Sequence, residues 1–471
     1  MALVGIVRNG GMKKSTAEVV RNPKGGVTLR QMIEIDVAEG TSLLDAETAM
    51  QAALMEAGAG LVEEFLHASD ADGRPLVFDG ERMTAKSEKE LLIVECTFGA
   101  VTVSRWAYQS GRGGKCYYPL DRKMELLGSA TPKFARSVGF KHAQAPAAKV
   151  CQDLEENHGR TLSVHFVQAI TDLLGDMALA VQPAPDTRLM PAPKEVATVA
   201  VGVDGACLQI TVEPDAPPEP ASGARPDRRK GRRLQWRTGM VGTIAFYDKE
   251  GERLGTIYTG CAPPEHSGDG KEDFWFLMER DLAAVKARYP KARYMGISDG
   301  ARDFVPWLKE NTDGLVLDFY HATGYLGGAA AAMVPGGAGH KQRTADWLTK
   351  ACHDLKHEDG APARLCEEMQ SRKDMTPLSA ASEELLHKAI TYFRNNLSRM
   401  DYAARLRDHQ PIASGVTESA CGLIIKDRLC GRGMRWTLRM AQHIITLRCL
   451  IATTAQSWQN FWKTNFARPV T

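Results

Sequence analysis

At 471 residues, 44% hydrophobic and 25% charged, the chain has the size of two or three folded domains and is too apolar to read as disordered. A net charge of +2 gives no bulk argument for a polyanionic partner, so any such argument rests on where the charges sit. Ten cysteines without a CxxC pair exclude a disulfide scaffold, no signal peptide is recognisable, and the apolar stretches read as too short or too interrupted to cross a bilayer. The expectation is a cytoplasmic, reduced protein with access to nucleic acid.

Residues 1–27 are Gly-rich and basic and read as a loose arm. From Leu29 to His67, apolar positions such as Leu54, Leu61 and Phe65 predict a mainly helical segment, weakened by Gly58 and Gly60. Between Ser87 and Pro119 the pattern turns to short strands: Leu91 to Val94, Val101 to Val103, Trp106 to Tyr108, and Cys116 to Tyr118 after the turn Ser110 to Gly114. Two helices follow, over about 147–158 and 163–177, with Ser163 as a candidate cap. The second stands where a recognition helix stands in a helix-turn-helix, although a generic helical hairpin has the same pattern.

Pro183, Pro185, Pro191 and Pro193 mark a linker. The nearly continuous apolar run from Val196 to Val203 then predicts a central strand delivering Asp204 at its end, followed by Gly205. Residues 214–231 read as a flexible excursion. It carries most of a basic cluster formed by Arg225, Arg228, Arg229, Lys230, Arg232, Arg233 and Arg237. Strands are predicted over 238–247 and 253–258, joined by a hairpin at Lys249 to Gly251. A helix over 272–289 and strands over 293–297 and 315–319 come next. The first of these two strands ends in Ser298-Asp299-Gly300. This order predicts an α/β domain around a mixed sheet. A Gly-rich patch and a mainly helical block over about 323–410 precede a last helical stretch from Gly415 to Ile451. The segment from Cys421 onward holds eight Lys or Arg residues against one acid, Asp427. Such clusters suit a phosphate backbone and equally suit a solvated face. Trp458 and Trp462 are expected to pack against a core rather than on bases.

Asp204 and Asp299 each follow an apolar run and precede a glycine, which permits a sharp exit and close approach of a ligand. Two such carboxylates repel unless a divalent cation lies between them, and hard oxygen ligands suit Mg2+. Glu418, near the start of a helix, is the best third acid; a solvated acid in a helix's first turn has the same appearance. Each Asp-Gly alone is ordinarily a turn. Two ions held by such a trio activate an attacking oxygen and stabilise the leaving one.

Several longer strings add to this reading: Val203-Asp204-Gly205, 296–301 (GISDGA), 317–322 (LDFYHA), 392–396 (YFRNN), 399–402 (RMDY), 411–421 (PIASGVTESAC) and 428–436 (RLCGRGMRW). Together they resemble the DDE transposases of bacterial insertion sequences, specifically the Kra-type elements, over most of residues 87–462. The resemblance implies an RNase H-like catalytic domain over 196–462, interrupted by an all-helical insertion at about 323–410. It also implies a mainly helical N-terminal DNA-binding region. Under it Asp204, Asp299 and Glu418 are the catalytic, metal-holding triad, with Asp204 bridging two Mg2+ ions and Mn2+ as a substitute. The implied partners are double-stranded DNA, as terminal inverted repeats and target, and further copies of the chain in a synaptic complex at the nucleoid. His321 reads as an auxiliary group that orients phosphate or water, or as a structural histidine. Arg428, Arg432 and Arg435, with Arg229, Lys230, Arg232 and Arg233, are the expected phosphate contacts, and Trp436 reads as core or as a stacking platform.

Related proteins often carry a cysteine knuckle in the early strand region, where this chain has 109–115 (QSGRGGK) between Cys96 and Cys116. Tetrahedral zinc normally needs four ligands, so no zinc is expected. The resulting division is 1–86 as arm and helical region, 87–182 as strands and helix-turn-helix-like region, 196–462 as catalytic domain and 463–471 as tail. An RNase H-like nuclease without strand transfer, or a DNA-binding regulator without turnover, are the competing functions.

Overall fold

The computed structural model describes residues 18–23, 26–181, 195–212, 233–265, 271–300, 303–375 and 377–466. The chain forms two compact units, Met1–Leu174 with Trp462–Thr471, and Gly175–Phe461.

In the first unit β1 (Glu18–Arg21) and β2 (Val27–Arg30) pair as a hairpin, and helix α1 (Leu43–Ser69) follows. The helix starts later than its apolar spacing predicts, after Ser42, whose Oγ caps it by accepting from the Asp45 amide at 3.1 Å. Strands β3 (Leu76–Phe78), β4 (Glu81–Ala85), β5 (Glu90–Glu95), β6 (Ala100–Arg105), β7 (Tyr108–Ser110) and β8 (Gly113–Tyr117) make a four-stranded sheet in the order β3-β4-β7-β8 and a separate β5-β6 hairpin. Val94, Val101 and Val103 of that hairpin are buried with Leu66 of α1. The N-terminal region thus combines its helices with short strands that the sequence did not indicate, such as β3 and β4, which are only three and five residues long.

Helices α2 (Pro119–Lys123), α3 (Pro132–Gln144), α4 (Ala147–His158) and α5 (Val164–Val181) complete this part. The predicted helical hairpin is present as α4 and α5. Gly159 ends α4 at φ 59°, and Ser163 Oγ accepts from the Phe166 amide at 3.1 Å. Contrary to the sequence expectation, α5 is long and apolar enough to cross a membrane. Its buried residues Val167, Ile170, Thr171, Leu174 and Ala178 recur at helical spacing, the pattern of a helix with one face in a protein core.

The second unit is built on a five-stranded mixed sheet in the order β11-β10-β9-β12-β13, formed by β9 (Thr198–Val212), β10 (Arg233–Tyr247), β11 (Arg253–Cys261), β12 (Arg293–Ser298) and β13 (Gly314–Leu317). The first three are antiparallel neighbours, while β12 runs parallel to both β9 and β13. Asp248 closes the β10-β11 hairpin by accepting from the Glu250 and Glu252 amides. Helices α6 (Glu272–Arg288) and α7 (Val305–Asn311) cover one face through Phe274, Met278, Leu282 and Leu308, packed on Val199, Val201 and Val203.

A block of helices follows β13: α8 (Phe319–Met333), α9 (His340–His357), α10 (Ala361–Met375), α11 (Ala380–Asn396), a 3-10 turn Leu397–Arg399 and α12 (Tyr402–Arg407). It packs its own apolar core against Ala200, Met295 and Ile297 on the opposite sheet face. The chain then returns through α13 (415–429), α14 (Leu438–Thr453) and α15 (Ala455–Phe466). The strand order and the helical interruption before the last acid are consistent with an RNase H-like arrangement.

Candidate metal centre

The site starts from strand register. β9 does not end at Asp204 as the sequence suggests; it continues to Val212, with Ala206, Leu208 and Ile210 buried in alternation. Asp204 therefore sits within a strand, on the same face as Ala200 and Gly202. Gly202 pairs with Ile297 across the parallel β9-β12 ladder, so the register continued by two residues sets Asp299 beside Asp204. Ser298 pairs with Leu317, which sets Asp318 next in the same row. Neighbouring strands lie about 5 Å apart, so Asp204 on β9 and the residues that follow β12 and β13, Asp299 and Asp318, leave the same end of three adjacent parallel strands.

Helix α13 lies over this level. Its Thr417 fits onto Gly202, where an added Cβ would come within 2.0 Å of Thr417 Oγ1, and that hydroxyl is 2.7 Å from Thr243 Oγ1. The absence of a side chain at 202 thus lets the helix approach and fixes Glu418, the next residue. After Ala420 the helix widens into a π-helical stretch, Cys421–Lys426. Burial pushes the Cys421 thiol well above its ordinary range, and the nearby Asp204 carboxylate, to which it hydrogen-bonds, pushes it further.

Among the described residues one group could hold a metal ion: Asp318, His321 and Glu418 each offer a ligand atom within 4.8 Å of the others. His321 Nε2 lies 3.5 Å from Glu418 Oε1, with both side chains roughly half exposed. Asp318 is fully buried and caps α8, its Oδ1 accepting from the His321 amide at 2.6 Å. Its Oδ2 accepts from Ser414 N at 2.5 Å and Ser414 Oγ at 2.9 Å, and Ser414 Oγ also lies 2.9 Å from Glu418 Oε1. A carboxylate has about four acceptor directions, so Asp318 keeps about one for an ion while holding the other two residues in place. Two carboxylates and an imidazole suit Mn2+ or Zn2+ at least as well as Mg2+, which favours oxygen alone. The arrangement supports one divalent-metal site and a metal-dependent catalytic centre.

No protein-family model matches the chain, and no curated protein matches it. The residues themselves carry the functional reading.

Of the three acids expected from the sequence, Glu418 enters the cluster, while Asp204 and Asp299 lie in the aspartate row outside it. Asp204 Oδ1 accepts from the Gly205 amide at 2.6 Å, and the Asp299 carbonyl accepts from the Tyr392 hydroxyl at 3.0 Å. Burial raises the Tyr392 phenol, with Tyr325, Asp299 and Asp318 adding to it, so the tyrosine remains a donor. Asp318 was not singled out because the strand expected over 315–319 runs through it, whereas β13 ends at Leu317 and Asp318 caps α8. The signal was the string Asp-x-x-His: a cap whose carboxylate and third following side chain meet on one side.

Among the expected phosphate contacts, Arg432 and Arg435 are exposed, and Arg233 opens β10 at the surface. Arg229, Lys230 and Arg232 lie outside the described residues. Arg428 is corrected: it is 2% exposed, with its guanidinium 4.8 Å from the Trp436 ring, and burial lowers it to about 10. It lies just past the π-helical stretch and is buried beside Leu429. Trp436 takes the core role, its Nε1 donating to Leu429 O, and Trp458 and Trp462 are likewise buried.

Proposed function

We propose that the chain is a divalent-metal-dependent enzyme that cleaves phosphodiester bonds of DNA, an RNase H-like nuclease. The observation that carries this reading is the meeting of a helix-borne Glu418 with Asp318 at the end of β13 and His321 in the first turn of α8. A bound divalent ion supplies Lewis-acid stabilisation of a phosphoryl oxygen and lowers the pKa of a bound water. In this reading Asp318, His321 and Glu418 would hold the ion, with Asp318 also positioning His321, and Asp204 with Asp299 would hold a second Mg2+ or Mn2+ ion. Arg432 and Arg435 contact the DNA backbone, giving binding without sequence choice.

That this cleavage serves strand transfer at the ends of an insertion sequence, in an assembly of several copies, is the finer proposal. It rests on the motif strings that include Asp204, Asp299 and Glu418. The test is nicking of supercoiled plasmid by the purified chain in Mg2+ or Mn2+, expected to stop with EDTA and with Glu418→Gln. Nicking that persists in EDTA overturns the metal reading, and DNA binding without any cleavage leaves a non-catalytic regulator. Joining of a 3'-hydroxyl end to a second DNA separates transposition from hydrolysis.

A further inference from the structure

A cleft of about 700 Å3 lies against the Asp299 end of β12, within the roughly 300–1,000 Å3 that accommodates small ligands. Gly300 forms part of its wall, and the helical block supplies Tyr325, Lys388, Tyr392 and Arg399. Although it adjoins the acids, its lining among the described residues holds cationic side chains and no carboxylate. Lys388 is already matched by Glu384 at 2.6 Å. Arg399 is not fully matched: its Nη2 donates to Asn396 Oδ1, whereas its Nη1 is buried with no hydrogen-bond partner. Leaving a buried guanidinium nitrogen unpaired is costly, and a phosphate oxygen is its natural acceptor.

The second feature of the cleft is aromatic. Tyr325 stacks on Tyr392 with ring centroids 3.8 Å apart and planes 15° apart, and Tyr325 remains 37% exposed. Stacking on an exposed ring is a sequence-tolerant way to hold an unpaired base. Hydrogen bonds tie both features to the acid row: Asn396 Nδ2 donates to Tyr392 O, and the Tyr392 hydroxyl donates to Asp299 O. Gly300 stands at φ 96°, and a Cβ there would lie 3.3 Å from the Tyr392 hydroxyl, so the cleft wall approaches to within one residue of Asp299.

We propose that this cleft is a nucleotide subsite, taking one unpaired nucleotide of the DNA next to the cleavage point, its phosphate on Arg399 and its base against Tyr325. The inference rests on the phosphodiester-cleaving reading above and adds to it a preference for frayed or single-stranded flanks, where the cost of unpairing is least.

The test is the affinity of the full chain, in EDTA, for a 5'-phosphorylated tetrathymidylate and for an abasic tetramer of the same charge. Tyr325→Ala is expected to weaken the tetrathymidylate by roughly fivefold to a hundredfold and to leave the abasic probe unchanged. Arg399→Gln is expected to weaken both by about tenfold or more. Equal affinity of Tyr325→Ala and the unaltered chain for tetrathymidylate overturns the proposal. The exposed Tyr325 keeps the test decisive should Arg399→Gln lower the melting temperature. Plasmid nicking by Glu418→Gln is read separately. Undiminished nicking strikes the catalytic reading and leaves the binding results standing, whereas loss of nicking together with a tetrathymidylate affinity that Tyr325→Ala leaves unchanged strikes the subsite alone.

Discussion

The two faces of the central sheet are built from alternate residues of the same strands and do opposite things. On one, Val199, Val201 and Val203 meet Phe274, Met278 and Leu282 in an apolar layer. On the other, Ala200 is followed by Gly202 and Asp204, and apolar packing gives way to Thr417, Cys421 and the acids. The first face holds the sheet rigid by area removed from water. The second face gives up that stabilisation at a few positions, so that carboxylates stand on a backbone that cannot shift. A metal centre needs both: ligands free of neighbours that fill their space, and strands that do not yield to their repulsion.

This contrast can be broken from either side. Leu282→Ala removes a fully packed side chain from the apolar face and should cost about 2–5 kcal/mol in chemical denaturation. Metal affinity of the folded fraction should not change; a matching loss of affinity would show that the faces are not independent. Glu418→Gln should do the reverse, lowering metal-dependent nicking by at least about a hundredfold, with a melting temperature close to the unaltered chain's. Gly202→Ala should act on both properties, because its Cβ has no room beside Thr417. About 1–3 kcal/mol of stability should be lost, with part recovered in Gly202→Ala combined with Thr417→Ala in a double-mutant cycle. Ser414→Ala sharpens the contrast most finely. It removes one hydroxyl shared by Asp318 and Glu418, and metal affinity by calorimetry should fall about tenfold to a hundredfold, with Ser414→Thr restoring part of it.

The central sheet was legible because buried parallel strands are continuous apolar runs, and β9 and β12 announce themselves in that way. The end of β9 was not, since beyond Asp204 the run becomes an alternation in which only Ala206, Leu208 and Ile210 face inward. Glu418 was legible as a candidate from its place at a helix start. Its partner Asp318 was hidden because the strand expected over 315–319 runs through it, whereas β13 ends one residue earlier and leaves it to cap α8. Arg428 failed for a related reason. Charge suggested a surface, but the widened turn at Cys421–Lys426 brings the residue inward, where its cation lies beside the Trp436 ring. The early strands β3 and β4 left little trace because three and five residues are too few to display an alternation.

The π-helical stretch Cys421–Lys426 gives α13 a phase shift built from a single extra residue. In an α-helix each residue turns the chain by about 100°, so one residue of slack lets two differently oriented surfaces coexist on one helix. Upstream, Thr417 and Glu418 address the acid row; downstream, Ile424, Ile425 and Leu429 address the apolar core under α14. Shortening the stretch by one residue would restore regular helix and rotate one surface out of alignment with its target. The chain would then have to choose between a seated core and a seated glutamate. Widening the turn is how one helix answers to both.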